Sequence, residues 1–458
     1  MSRFVAPLVK LVQSQRTALA AVLAMVIKAG GALLTIAVFT LAARAMSAHD
    51  FGELAVWFNA MLFLAVAATF GQDTLIARNW GEYEGKGAHE AARGAYRFGW
   101  RATAISGVVF AGAIVVLGPF ANATIAPAAL YAGASFMFTQ TLLHYSSHSS
   151  RVIAGFVLSE VNRELTWRLV LLLVVVWSIL HRGLTPAQFF AAGAAGMVLS
   201  LAVQLRGVRR RFLSEPVERA DEAHGGEWLR RGRAMWLSAI VEATSQYADV
   251  MLIGYFASPA AAGDYFVAAR IANIFLMVTT GLNTYSFTHS ANLFFSGRIE
   301  RLQDILRSVV TAAVAFVLPA YLVIVFFGQT ILTIFGARYA SVYPTLVVLA
   351  SGAFAMSLCG SASVILLTTG HERLYSRVLT AAMLARLILT AALAWGFGAL
   401  GAACAWTLVN APLAILLALI CRKVCGVDPS IGGLFARRRG EADKARRTTP
   451  ALPERAAL

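Results

Sequence analysis

Long apolar stretches separated by short polar connections make up almost the whole chain. Twelve of them reach the ~20 residues that a helix rising ~1.5 Å per residue needs to cross a hydrocarbon core of ~30 Å. They lie at 19–43, 51–70, 100–121, 127–147, 165–181, 188–205, 234–256, 261–282, 308–327, 343–367, 375–397 and 399–421. The pattern predicts an all-α polytopic membrane protein of about twelve transmembrane helices in two six-helix bundles. Ala43-Arg44-Ala45 imitates a small-x-small cleavage site, but the apolar region before it exceeds the ~7–15 residues of a signal peptide, and eleven further spans follow.

Composition agrees. Hydrophobic residues make up 59% of the 458 positions and charged residues 14%, against ~25% charged in soluble domains. This excludes a soluble enzyme. The formal charge of +16 raises nucleic acid as a partner until the cations are placed. With the N-terminus in the cytoplasm, 33 of the 39 Lys and Arg residues fall on the internal side and only Arg44, Arg182 and Arg338 outside. That partition follows the positive-inside rule, puts both termini in the cytoplasm and removes nucleic acid from consideration. The basic tail run Arg437-Arg438-Arg439 is then a topology determinant or a contact with anionic lipid. The longest internal connection divides the chain into a bundle at 1–205, a basic linker at 206–233, a bundle at 234–421 and a basic tail at 422–458. The external connections are short, the longest being Gly328–Val342, which leaves no outer domain for a glycan polymerase or ligase.

The halves share a pattern at an offset of 211 residues. Ser47, Gly52 and Glu53 open the second span as Ser258, Gly263 and Asp264 open the eighth. Each span ends in a Gly/Thr segment, Thr69-Phe70-Gly71 or Thr279-Thr280-Gly281, and an amphipathic stretch follows, 74–101 or 284–307. Six spans per half is an even number, so both repeats enter from the same side and are related by an axis along the membrane normal. Parallel repeats of this kind serve alternating access around a site between the halves.

Three cations remain within spans. Counting the rise per residue puts Lys28 and Arg270 ~13 Å deep and Arg386 ~16 Å deep, all near the middle of the core. Ionisable groups there cost at least ~2.5–3.5 kcal/mol and face a cavity or a partner. Three cations at one level from both halves define a candidate anion cavity suited to a diphosphate, which Arg grips bidentately and Lys neutralises. Glu242 and Asp249, two turns apart on one helix face, are the acids available to pair with them or to bind a coupling ion. Asp73 and the Glu164/Arg168 pair are candidate gate or interface groups.

Other signals carry less. Gly81–Gly87 is one residue short of a phosphate loop and lacks the Ser or Thr that holds magnesium. His144 and His148 share a helix face at i, i+4, but no acidic third ligand accompanies them in the sequence, so they read as interface histidines. Asn122-Ala123-Thr124 forms a glycosylation sequon. Pro319, Pro344 and Pro412 are placed to kink spans 9, 10 and 12. Gly193 to Gly196 is a small-residue packing patch. The four cysteines match neither a disulfide framework nor a metal knuckle and read as helix-packing residues.

Two stretches resemble a known family. Phe51-Gly52-Glu53-Leu54, leading to Gly71-Gln72-Asp73 and on to Arg78, looks like the first-half signature of bacterial polysaccharide flippases. Ala248-Asp249 through Gly254, then Ala262-Gly263-Asp264-Tyr265 through Arg270, is similar to that family's most recognisable stretch. Ile331 to Tyr339 and Leu366 to Gly370 also fit. The resemblance covers roughly 19–421 and implies the polysaccharide-transporter (Wzx-like, O-antigen flippase) branch of the multidrug/oligosaccharidyl-lipid/polysaccharide (MOP) exporter superfamily. It implies two six-helix bundles forming a V, and a polyprenyl-diphosphate-linked oligosaccharide as the substrate turned across the bacterial inner membrane for polysaccharide or lipopolysaccharide biosynthesis. Peptidoglycan-precursor flippases of the superfamily carry two more C-terminal spans. The multidrug (MATE-type) antiporters place an acidic residue in the first helix, where this chain has Lys28.

The leading expectation is therefore a flippase rather than an enzyme. It works by alternating access without a cofactor, is coupled to a proton or sodium ion through Glu242 or Asp249, and acts as a monomer among membrane lipids beside the polymerase and export machinery. The alternative is a drug/ion antiporter of the same fold.

Overall fold

The computed structural model describes residues 23, 26–121, 126–181, 183–214 and 224–435. The Asn122 sequon, Arg182, the centre of the basic linker and the tail from residue 436, with Arg437–Arg439, lie outside the described residues. Within them the chain is helical and contains no strand. Among the described residues each expected span is helical, the tenth (343–367) being shared between two helices. The first is α1 (Val26–Ala45). The first half continues with α2 (Ala48–Ala68), α3 (Gln72–Gly85), α4 (His89–Ala121), α5 (Pro127–Ile153), α6 (Phe156–Val161), a π-helical turn (Asn162–Thr166), α7 (Trp167–His181) and α8 (Pro186–Ser214). The second holds α9 (Gly225–Phe256), α10 (Pro259–Phe295), α11 (Ile299–Thr333), a 3-10 turn (Ala337–Val342), α12 (Tyr343–Leu358), α13 (Ala362–Thr368), α14 (Glu372–Val424) and α15 (Gly432–Phe435).

Among the described residues, eight helical stretches are long and apolar enough to cross a membrane, and they carry nine of the twelve expected spans. The last of them, α14, contains two spans, because Gly398 (φ 56°, ψ −134°) turns the chain inside it. Only glycine tolerates that backbone geometry. The arms then cross so closely that a Cβ on Gly401 would lie 2.1 Å from the Leu393 carbonyl oxygen. The other three spans lie on α5, α9 and α10, which are 27, 32 and 37 residues long. In α5 polar groups are turned inward. Ser146, Ser147, Ser149 and Ser150 are buried, and Gln204 of α8 donates to the Ser147 hydroxyl (3.1 Å) and the Ser159 carbonyl (3.2 Å). A helix can carry such groups through lipid when its neighbours satisfy them.

By packing, the chain divides into two compact units. The first contains Met1–Val267, Thr330–Ser341 and Ala391–Ala402; the second contains Ala268–Gln329, Val342–Thr390 and Ala403–Leu458. The boundary cuts α10, α11 and α14, so a division by packing is a different quantity from the division by repeat, which runs through 206–233.

The first unit is centred on buried phenylalanines from five helices. Phe39 meets Phe266 and Phe58 at ring separations of 4.7 and 4.9 Å, and Phe136 and Phe189 extend the cluster. In lipid the hydrophobic effect does not drive helices together, so this contact works through dispersion and close approach. The repeat-related glycines make the approach possible. A Cβ on Gly263 would meet the Gly52 Cα at 3.1 Å, and one on Gly52 would meet the Pro259 carbonyl oxygen at 1.8 Å. Equivalent positions of the two halves thus touch each other, as residues on a pseudo-two-fold axis must. On the same unit Arg44 donates to the carbonyls of Ile334 (2.7 Å) and Thr333 (3.5 Å), capping the C-terminal end of α11, where a cation also complements the helix dipole.

In the second unit α12 and α13 are separated at Cys359–Ser361, where Gly360 adopts φ 62°. The segment after α14 fills this break: Ile431 N–H donates to Leu358 O (2.8 Å), and Gln303 exchanges two 2.8 Å hydrogen bonds with the Asp428 backbone.

Two expectations from the sequence are corrected. The repeat predicts matching breaks after spans 2 and 8, but only the first exists. Phe70 (φ 52°) and Gly71 (φ 72°) separate α2 from α3, whereas α10 runs unbroken past Gly281. A glycine alone weakens a helix by about 1 kcal/mol without ending it. The first break is held by Trp236 of α9, whose Nε1–H donates to Ala67 O (2.7 Å) while its ring stacks on Phe70 at 4.8 Å. In α10 the Thr279 hydroxyl instead bonds back to the Phe275 carbonyl (3.1 Å) within a continuing helix. The second correction concerns Pro344. It sits in the first turn of α12, where its missing N–H costs nothing, so span 10 is broken at Gly360 and not at the proline. Pro319 and Pro412 lie inside α11 and α14, which continue past them.

The Trp236 contact yields a graded prediction. Trp236→Phe keeps the stacking and loses one hydrogen bond, worth about 0.5–1.5 kcal/mol. Trp236→Ala also loses the ring, about 3–5 kcal/mol. Thermal unfolding in nanodiscs is expected to order the variants in that sequence.

Candidate functional site

The ionisable groups singled out in the sequence occupy distinct settings. Lys28 is exposed on α1, one turn before Gly31. There α1 lies against the π-helical turn: a Cβ on Gly31 would meet the Glu164 carbonyl and carboxylate oxygens at 3.0 Å, and one on Gly30 would meet Leu165 at 3.2 Å. Glu164 pairs with Arg168 at 3.0 Å and with Arg163 at 3.6 Å, and the Arg168 guanidinium lies 4.6 Å over the Trp167 ring. The expected Glu164/Arg168 pair is therefore formed, within a turn or so of Lys28. A π-helical turn is a frequent mark of functional sites in helices.

Asp249 on α9 is buried and accepts a 3.4 Å hydrogen bond from Tyr265. Glu242, two turns earlier, is exposed, with Gln246 donating to it at 3.5 Å. Both acids belong to the first unit. Arg270 and Arg386 belong to the second. Arg270 is half-buried on α10; Arg386 is 4% exposed on the first arm of α14, one turn from the buried hydroxyl of Thr390. An arginine removed from solvent to this degree within an apolar helix is costly unless polar groups receive it.

Asp73 is buried at the start of α3, on the polar side of the Phe70–Gly71 break, and accepts a 3.2 Å hydrogen bond from Thr69. The left-handed Gly71 before it has no side chain to cap the helix, so the carboxylate sits where the α3 dipole favours an anion. The reading of His144 and His148 as a pair without an acidic companion is corrected here. The fold carries Asp73 to them, and one ligand atom from each of the three lies within 4.8 Å of the others. The companion comes from 71 residues upstream in the chain, so local spacing does not reveal it. Sequence reasoning also missed the buried Glu160, paired with Arg151.

The comparisons with known proteins fit this architecture. A profile described as polysaccharide biosynthesis protein matches residues 19–287. The chain is 27% identical to the probable flippase AglR of Haloferax volcanii over 205 residues, which is 42% of this chain and 40% of that relative. Among solved structures, it superposes on an inward-facing MATE-family multidrug transporter of the MOP superfamily with a TM-score of 0.70 at 12% identity, covering 89% of this chain and 96% of the other. It matches the lipid II flippase MurJ in an inward closed conformation with the same TM-score and identity, over 88% and 87%.

Helices in this order, on this scale and with this superposition define a multi-pass membrane protein with the fold of the MOP transporters. Within that class, the chain belongs to the polysaccharide biosynthesis protein family.

Proposed function

We propose that the protein is a flippase, not an enzyme, that turns a polyprenyl-diphosphate-linked oligosaccharide from the inner to the outer leaflet of a bacterial cytoplasmic membrane. The observation that carries this reading is the coincidence of a polysaccharide biosynthesis family match with a MOP fold that buries Arg386 in an apolar helix; the depths expected from the sequence for Lys28, Arg270 and Arg386 support it. A diphosphate needs positive charge at mid-depth, the glycan needs a polar cavity, and the polyprenyl chain can stay in lipid. Arg270 and Arg386, both in the second unit, are the proposed grip on the diphosphate, and Lys28 is a further cation toward which it is drawn. The two repeats rock about their common axis to expose it to either side; the mutual contact of Gly52 and Gly263 supports that axis. A proton or sodium ion at Asp249 or Glu242 drives the cycle, with Asp73 and the Glu164/Arg168 pair at the gates.

The second reading, a drug/ion antiporter, is favoured by the fold match to a MATE transporter. A binding region with cations suits cationic drugs poorly. Mass spectrometry of polyprenyl-linked glycans in cells with and without the gene separates the two. The flippase reading expects completed repeat units to accumulate without the gene, with drug tolerance unchanged; an unchanged lipid-linked pool with lowered drug tolerance favours the antiporter.

A further inference from the structure

We propose that Asp73, His144 and His148 form a binding site for one divalent transition-metal ion of the zinc class, which ties α5 to the segment just after the α2–α3 break. Four observations converge. The three side chains present a His-His-carboxylate donor set, which suits zinc and its neighbours in the first transition row. Their ligand atoms lie within 4.8 Å of one another, and small side-chain rotations bring them to a single ion with bonds of about 2.0–2.2 Å. His148 Nδ1 stands 2.9 Å from the His144 backbone carbonyl. It can donate only as N–H, which leaves Nε2 with a free lone pair; a metal-binding histidine is commonly oriented by this kind of outer contact. The Nδ1 atom of His144 is buried without a hydrogen-bond partner, and Asp73 is a buried carboxylate whose hydrogen bond comes from the Thr69 hydroxyl. A buried ring nitrogen without a partner and a buried carboxylate in one cluster are each costly alone, and a cation held among the three side chains relieves both.

The helical register supports the arrangement. His144 and His148 stand one turn apart on α5 with rings stacked at 6.2 Å, the i, i+4 spacing by which two histidines share one ion. Arg151 and Arg163 are the cations that bear electrostatically on His148. Both are engaged with acids, Arg151 with Glu160 and Arg163 with Glu164, so their fields are partly neutralised at the site. The proposed ion is separate from the cation set at Lys28, Arg270 and Arg386 and does not depend on what the transporter carries.

The test uses the full-length protein in nanodiscs, purified with a tag that contains no histidine and stripped with chelator. Titration with Co²⁺, read by its visible ligand-field absorption, and competition by Zn²⁺ are expected to give one saturable site per chain. His144→Ala and His148→Ala are expected to weaken binding by more than the roughly 10–100-fold that loss of an outer partner costs, and Asp73→Asn by at least about tenfold. His181→Ala, on α7, is expected to leave binding unchanged. Zn²⁺ is also expected to raise the unfolding temperature of the parent chain and not of the His144→Ala/His148→Ala double variant, since an ion bound only to the native state stabilises it. Metal-free unfolding temperatures show whether each variant folds, and His148→Gln supplies a variant of similar shape should alanine fail. Absence of a saturable Co²⁺ signal, or binding by the double variant equal to that of the parent, would overturn the proposal.

Discussion

Replacing Gly52 with alanine is expected to abolish export and to lower stability more than any other single-methyl addition in the first unit. The new Cβ would stand 1.8 Å from the Pro259 carbonyl oxygen and 2.2 Å from its carbon. Neither atom belongs to a side chain that can turn away, so α2 must move from the start of α10. Phe51, next in the chain and fully buried, stands within ring contact of Phe266 and Tyr339 and must move with it. Overpacking a well-packed core costs about 1–3 kcal/mol, and a backbone clash at this distance belongs at or above the top of that range. Because Gly52 meets its repeat-related partner Gly263, the same change strikes the axis of the proposed rocking motion. Gly112→Ala is the control: nothing lies within 4 Å of its added carbon, and in the interior of α4 the change is expected to be neutral or to stabilise by up to about 1 kcal/mol. Surface polymer yield and thermal unfolding of both variants check this. Equal behaviour of the two would show that the close approach of α2 and α10 is not part of the working protein.

The second large effect is expected at the mid-span cations. Arg386→Ala removes a charge that is 4% exposed in a helix otherwise apolar over several turns. Loss of one partner from a buried charged contact costs about 2–5 kcal/mol, and at about 1.4 kcal/mol per tenfold that is roughly 30-fold or more in substrate affinity. Arg386→Lys keeps the charge and loses the bidentate grip, so it is expected to fall between alanine and the parent. Lys28 is exposed on α1; its proposed role needs only a point charge, so Lys28→Arg is expected to be tolerated where Lys28→Ala is not. Polymer export at matched expression reads all four variants. Should alanine at Lys28, Arg270 and Arg386 each leave export intact, the diphosphate assignment would fail.

Much of this architecture is legible in the sequence because a lipid solvent leaves few alternatives. An apolar run long enough to span must be helical, since no water satisfies its backbone; hence the expected spans are helical where described, including the two arms turned at Gly398 and the tenth, which Gly360 divides between two helices. The repeat at an offset of 211 was legible too, and it points to Gly52 and Gly263, which meet. What local pattern could not give is the consequence of tertiary contacts. The break at Phe70–Gly71 depends on Trp236, 165 residues away, so its counterpart at Gly281 does not break. The Asp73–His144–His148 cluster joins two helices that carry no shared motif. For the mid-span charges, the sequence supplies depth and sign. Burial separates them further: Arg386 and Asp249 are buried while Lys28 and Glu242 are exposed, a difference set by neighbouring helices rather than by spacing.

The most direct test of the central claim is sidedness. Proteoliposomes holding a short-chain polyprenyl-diphosphate oligosaccharide, labelled on its sugar, are treated with a membrane-impermeant glycosidase, and the protected fraction is followed with time. The protein is expected to render the inner-leaflet pool cleavable, an imposed proton or sodium gradient to accelerate this, and Arg386→Ala to slow it by an order of magnitude or more. A protected pool that is the same in protein-free liposomes and in liposomes holding the parent protein, at every gradient, would contradict it.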